Sequence, residues 1–81
     1  MTVTVILRLP VVLARRARSR SAHYLDIANG LYVPPVAIGS RAVGWPESEV
    51  EALAKATVRG DSEDQIRNLV TKLLADRASI E

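Results

Sequence analysis

Ser19-Arg20-Ser21-Ala22-His23-Tyr24-Leu25-Asp26-Ile27-Ala28-Asn29-Gly30 reads as a short helix with a signal at each end. Ser19 or Ser21 can cap the exposed amides of the first turn. Asn29-Gly30 offers the left-handed residue that stops a helix. Between them Tyr24, Ile27 and Ala28 fall at helical spacing and are expected to face a core, with Leu31 just beyond. Arg18, Ser19, Arg20 and Ser21 remain outward at the start, behind Arg15 and Arg16. Amides, hydroxyls and guanidinium groups gathered at a helix start suit a phosphate backbone. The segment reads as the recognition helix of a small DNA-binding domain, entering the major groove with residues 19–29.

Charge is distributed in the same sense. The chain has 81 residues and a formal net charge of only +2. Residues 1–45 hold six arginines (8, 15, 16, 18, 20, 41) against one acid, Asp26; residues 46–81 hold five bases against eight acids. A basic half beside an acidic half points to a directional face for a polyanion. Arginine is also the residue best fitted to forked contacts with phosphate or guanine.

Before the helix, Thr2 to Leu7 alternates valine and threonine and then runs apolar, which favours a strand or an extended arm. Pro10 is placed to open a helix through Val11 to Arg16, with Leu9, Val12 and Leu13 inward. The Ala17-Arg18 step then turns into the second helix, a helix-turn-helix pattern. After Gly30 the Pro34-Pro35 pair forces extended chain. Residues 36–38 and 42–45, joined by Gly39-Ser40-Arg41, make a small hairpin. With Arg41 at its tip, residues 38–45 read as a wing over the adjacent backbone or minor groove. Trp45, in a chain without phenylalanine, is expected to anchor the core and not to stack on a base.

Pro46 opens a further helix from Glu47 to about Val58, with Val50, Leu53, Ala54 and Thr57 inward. Glu47, Glu49 and Glu51 favour the positive end of the helix dipole and read as a solvated face. Gly60 ends it, and Ser62 with Gln65 forms a capping box. The last helix places Ile66, Leu69, Val70, Leu73 and Leu74 on one stripe. That stripe either covers the core or pairs with its copy in a second chain. The expected division is a DNA-binding domain over 1–58 and a C-terminal amphipathic helix within 59–81.

Other classes find little support. With no cysteine and one histidine, His23, neither a disulfide framework nor a transition-metal site is expected. No Gly-rich phosphate loop or nucleophile–base arrangement suggests an enzyme, and no cofactor is expected. No apolar run is long enough to span a bilayer, and the first residues lack a signal-peptide pattern, so a cytoplasmic location is expected.

The order of these signals resembles the AlpA-like phage regulatory family. It is carried by Arg8-Leu9-Pro10, Val12-Leu13-Ala14, Ser19-Arg20-Ser21 with Tyr24, then Ala28, Gly30, Pro35-Val36 and Ile38-Gly39. It continues through Arg41-Ala42-Val43-Gly44-Trp45 to Glu49-Val50, and a likeness to C-terminal extensions in a subset of the family reaches Ile66, covering essentially the whole chain. The resemblance implies a winged helix-turn-helix related to excisionases and the MerR group, mainly α with a small β-hairpin wing. It implies a prophage- or island-borne DNA-binding regulator of transcription. An excisionase-like DNA-bending factor and a winged-helix protein–protein module are the alternatives. Ser19, Arg20, Ser21 and Tyr24 would face DNA, with Arg41 on the wing. This chain has Arg16-Ala17-Arg18 where the family usually has Thr-Gly-Leu, and Ala22, His23 and Leu25 where it has threonine, an aliphatic residue and a base. Asp26 stands where an apolar residue is common. Arg16 and Arg18 are expected to add backbone contacts, and His23 to be a semi-exposed helix residue. Double-stranded DNA is the expected partner, bound by a homodimer or several copies per operator, with a recombinase or polymerase as a further partner and no membrane.

Overall fold

The computed structural model describes residues 5–78. Residues 2–4 of the expected strand lie outside them. Ile6–Leu7 (β1) leads directly into the helix Leu9–Arg16 (α1), where Pro10 occupies the first turn. Its fixed φ suits that turn, and its missing N–H is no loss there. Ala17 then takes a left-handed conformation, φ 52° and ψ 45°, and turns the chain. The Arg18 N–H caps α1 on the Leu13 carbonyl at 3.2 Å.

Ser19 starts the second helix, Arg20–Ala28 (α2), its Oγ accepting the Ala22 N–H at 3.2 Å. Gly30 ends it at φ 75°, and the Leu31 N–H returns to the Asp26 carbonyl at 2.8 Å. The hairpin is Val36–Ala37 (β2) against Val43–Pro46 (β3), paired Val36 to Gly44 and Ala37 to Val43. β3 also pairs with β1, Ile6 to Pro46 and Leu7 to Trp45, giving a three-stranded antiparallel sheet in the order β1-β3-β2. Gly44 lies at its centre because a Cβ there would collide with the Ile6 side chain and come within 2.9 Å of the Leu7 carbonyl oxygen.

Two helices complete the domain, Glu47–Arg59 (α3) and Glu63–Arg77 (α4). Gly60 separates them at φ 79°, and the capping box of Ser62 and Gln65 starts α4. The core gathers Leu7, Val12, Tyr32, Val33, Trp45, Val50, Leu53 and Val70. Trp45 is fully buried under the wing, its indole N–H donating to the Val33 carbonyl at 2.9 Å. Among the described residues, four helices with a small winged sheet form a winged helix-turn-helix, the fold class expected from the sequence.

Two expectations change in detail, and α4 takes one of the two arrangements left open for it. The buried face of α3 is Glu49, Val50, Leu53 and Ala56, while Ala54 and Thr57 are exposed. Thr57 instead turns its hydroxyl back onto the Leu53 carbonyl at 3.0 Å. Glu49, expected in water, is 5% exposed. It is buried because Arg77 reaches it from α4, and a buried carboxylate with a forked guanidinium partner is tolerable where a lone one is not. Lastly, the apolar stripe of α4 packs on its own domain: Val70 is core, Ile66, Leu69 and Leu73 pack against it, and only Leu74 of those five is exposed. Arg67 anchors the same helix near its start, its Nε donating to the Asn29 carbonyl at 3.1 Å.

Candidate nucleic-acid interface

The inner face of α2 carries charge. Asp26 is 7% exposed and gathers two arginines from the α1–α2 turn. Arg16 donates to its Oδ2 at 2.7 Å; Arg18 donates through NH2 to Oδ1 at 2.8 Å and through Nε to Oδ2 at 3.1 Å. The other amino group of Arg16 lies 2.8 Å from the Nδ1 of His23, and its guanidinium carbon sits 3.9 Å from the centre of the Tyr32 ring.

His23 is fully buried, a correction to the semi-exposed position expected for it. Its ring meets Tyr24, Tyr32 and Trp45 edge-on, at centroid distances of 5.3, 5.1 and 4.9 Å. A guanidinium only donates, so Nδ1 accepts and the ring proton belongs on Nε2. Burial pushes the His23 pKa below its ordinary value, and the Arg16 charge pushes it further the same way. Asp26 opposes the shift without reversing it.

This cluster redefines Arg16 and Arg18, for which the sequence suggests contacts with phosphate. The side chain of Arg16 is only 17% exposed and is shared among Asp26, His23 and Tyr32, so it braces the turn between the two helices. Arg18 is more open but makes a forked pair with the same carboxylate. The inward face of α2 is therefore His23, Asp26 and half-buried Ile27, in place of Tyr24, Ile27 and Ala28. Periodicity could not reveal this, since a histidine and an aspartate count as polar wherever they point. The one hint was the pair of excess arginines 8 and 10 residues ahead of the only acid in the basic half.

The outer face is what α2 offers to a partner. Arg20, Ser21, Tyr24, Leu25 and Ala28 are all exposed there, and Ser19 is exposed at the cap. The Arg20 guanidinium lies 6.0 Å from the Tyr24 ring, one helical turn away. Arg41 is exposed at the hairpin tip. Among the described residues, neither Arg20 nor Arg41 makes a salt bridge, whereas Arg15, Arg16, Arg18, Arg59, Arg67 and Arg77 all do. A cleft of about 380 Å³ behind the turn is lined by Arg15, Arg16 and Arg18 together with apolar side chains of α3. Its three arginines are already paired, to Glu47 and Asp26, so it has no spare cation for an anionic ligand.

Residues 5–55, from β1 through the wing into α3, match the family described as prophage CP4-57 regulatory protein (AlpA). The chain belongs to this family. An AlpA-family chain is a prophage regulatory protein by kind. The match takes in both helices of the helix-turn-helix and the whole wing, but it stops inside α3. The likeness seen in the sequence from Gly60 onward is therefore outside it. No curated protein and no solved structure matches the chain. No helix among the described residues is long and apolar enough to cross a membrane.

Proposed function

We propose that this AlpA-family protein is a sequence-specific, non-catalytic DNA-binding regulator of prophage or genomic-island genes, acting in the cytoplasm. α2 lies in the major groove, and the wing places Arg41 on the adjacent backbone or minor groove. One observation carries the reading: among the described residues, the arginines on the exposed parts of α2 and the wing, Arg20 and Arg41, make no salt bridge (nor does Arg8, ahead of α1), while Asp26, the acid of the reading helix, is turned inward and paired with Arg16 and Arg18. An outer helix face with cations, hydroxyls and no carboxylate suits a groove walled by phosphates. Ser19, Arg20 and Ser21 contact the backbone and the first base edges, and Tyr24 extends that contact by a turn. A domain of this size covers a short half-site, so two or more copies bind per operator.

The deciding experiment is fluorescence-anisotropy binding to duplexes selected by the protein from a randomised pool, titrated against salt. Binding that survives excess random competitor and weakens steeply with salt supports the reading. Equal, weak binding to selected and random duplexes overturns it.

A further inference from the structure

The outer face of α2 holds one large aliphatic side chain. Leu25 is 60% exposed, between His23 and Asp26, which are both buried. Helical spacing sets it one turn beyond Ser21 and beside Tyr24, so it stands in the middle of the face that the proposed function lays in the major groove. Around it the face is short or weakly polar: Ser21 before it and Ala28 after it, both exposed. Leu25 is the most exposed large apolar side chain of α2, with Tyr24 at 39% beside it.

Each base edge in the major groove asks for a different partner. Guanine offers two acceptors, adenine an acceptor and a donor, cytosine a donor, and thymine an acceptor beside its C5 methyl group. A leucine can neither donate nor accept. Pressed against guanine, adenine or cytosine it strips water from polar atoms and returns nothing. Against thymine it covers a methyl group with its own methyl groups and gains by burial. The neighbouring carboxylate that could have accepted from cytosine is held away by Arg16 and Arg18.

Resting on that placement of α2 in the groove, we infer that Leu25 is a specificity-determining residue that selects thymine by its C5 methyl group. Arg20, on the first turn, holds the helix to the backbone, and Leu25 reads the step that follows.

The test uses the duplex that the full chain selects from a randomised pool, remade with deoxyuridine replacing thymine at one position at a time. Deoxyuridine pairs like thymine and lacks only the methyl group. Affinity should fall about fourfold at one or two positions, the size expected for one buried methyl group. In Leu25→Ala that penalty should shrink towards none. If deoxyuridine is tolerated at every position, or if Leu25→Ala keeps the penalty, Leu25 does not read thymine, although the protein remains a DNA-binding regulator. Failure to select any sequence from the pool would overturn the proposed function as well, and is a separate, visible result.

Discussion

Arg77, in the last turn of α4, closes a forked ion pair on Glu49, in the first turns of α3, with Nε 2.9 Å from Oε2 and NH2 2.6 Å from Oε1. The same NH2 donates to the Pro34 carbonyl at 2.8 Å, ahead of the wing. One guanidinium thus joins the C-terminal helix, the helix behind the wing and the loop leading into it. Glu49 is 5% exposed, so removing its partner strands a buried charge. Arg77→Ala should cost about 3 kcal/mol of stability, read as a lower urea midpoint. Arg77→Lys should recover little, because an ammonium cannot serve both carboxylate oxygens and a carbonyl in one plane.

The α1–α2 turn carries strain that a single substitution relieves. Ala17 is the one residue other than glycine with a positive φ among those described. A Cβ in that conformation is disfavoured by about 1 kcal/mol or more. Ala17→Gly should therefore stabilise the fold, by about 0.5–1 kcal/mol after the extra freedom of glycine in the unfolded chain is subtracted. Thermal melting at fixed pH checks the sign. A lower melting temperature would mean that the turn's dihedral angles are not those described.

Much of this fold was legible in the sequence, because its signals are local. Ser19 and Gly30 bracket α2, Pro10 opens α1, Ser62 and Gln65 box the start of α4, and Trp45 sits under the wing as its size suggests. The site was less legible, for one physical reason. Asp26, Glu49 and His23 are buried through partners that are 10, 28 and 7 residues away, and hydrophobic periodicity assigns such residues to water. The face of α2 consequently reads one residue out of phase. With the observed phase, Arg16 pairs with His23 and Asp26 between α1 and α2, and Leu25 lies on the exposed face.

That phase separates Arg16 from Arg20 and Arg41 experimentally. Arg16→Ala should destabilise the protein by about 2 kcal/mol, since His23 loses its donor and Asp26 loses one of two. It should leave the salt dependence of DNA binding by the folded protein unchanged. Arg20→Ala and Arg41→Ala should do the reverse: stability within about 0.5 kcal/mol of the parent, weaker DNA binding, and a salt slope lower by about one for each phosphate no longer neutralised. Denaturant titration and salt-dependent anisotropy on the three variants read both quantities. If Arg16→Ala lowers the slope without changing stability, Arg16 touches DNA and does not brace the turn.

The sheet makes a sharper demand at Gly44. A methyl group there meets Ile6 and the Leu7 carbonyl, which are the β1 side of the central strand and cannot both withdraw while β1 stays paired. Gly44→Ala should cost about 2 kcal/mol, within the range for overpacking. It should also loosen β1, so amide exchange at Leu7 and Trp45 should accelerate more than in α4. Uniform acceleration across the chain would show that β1 had not been displaced separately.

His23 makes stability depend on pH in a defined direction. Its pKa in the folded protein lies below the ordinary value of about 6.5, through burial first and Arg16 second. The unfolded chain therefore binds a proton over a range in which the folded protein does not. Stability contributed by the neutral ring is complete above about pH 6.5 and is lost as pH falls from there towards the folded-state pKa, with a slope of at most about 1.4 kcal/mol per pH unit. Protonating Nδ1 would replace an accepted hydrogen bond with a second cation facing Arg16, in a fully buried position against three aromatic rings. Urea unfolding at pH 7.5, 6.5 and 5.5 should show falling stability for the parent and a flatter profile for His23→Gln, which keeps an acceptor and cannot titrate. Equal slopes for the two proteins would mean that the fall comes from carboxylates and that His23 keeps an ordinary pKa.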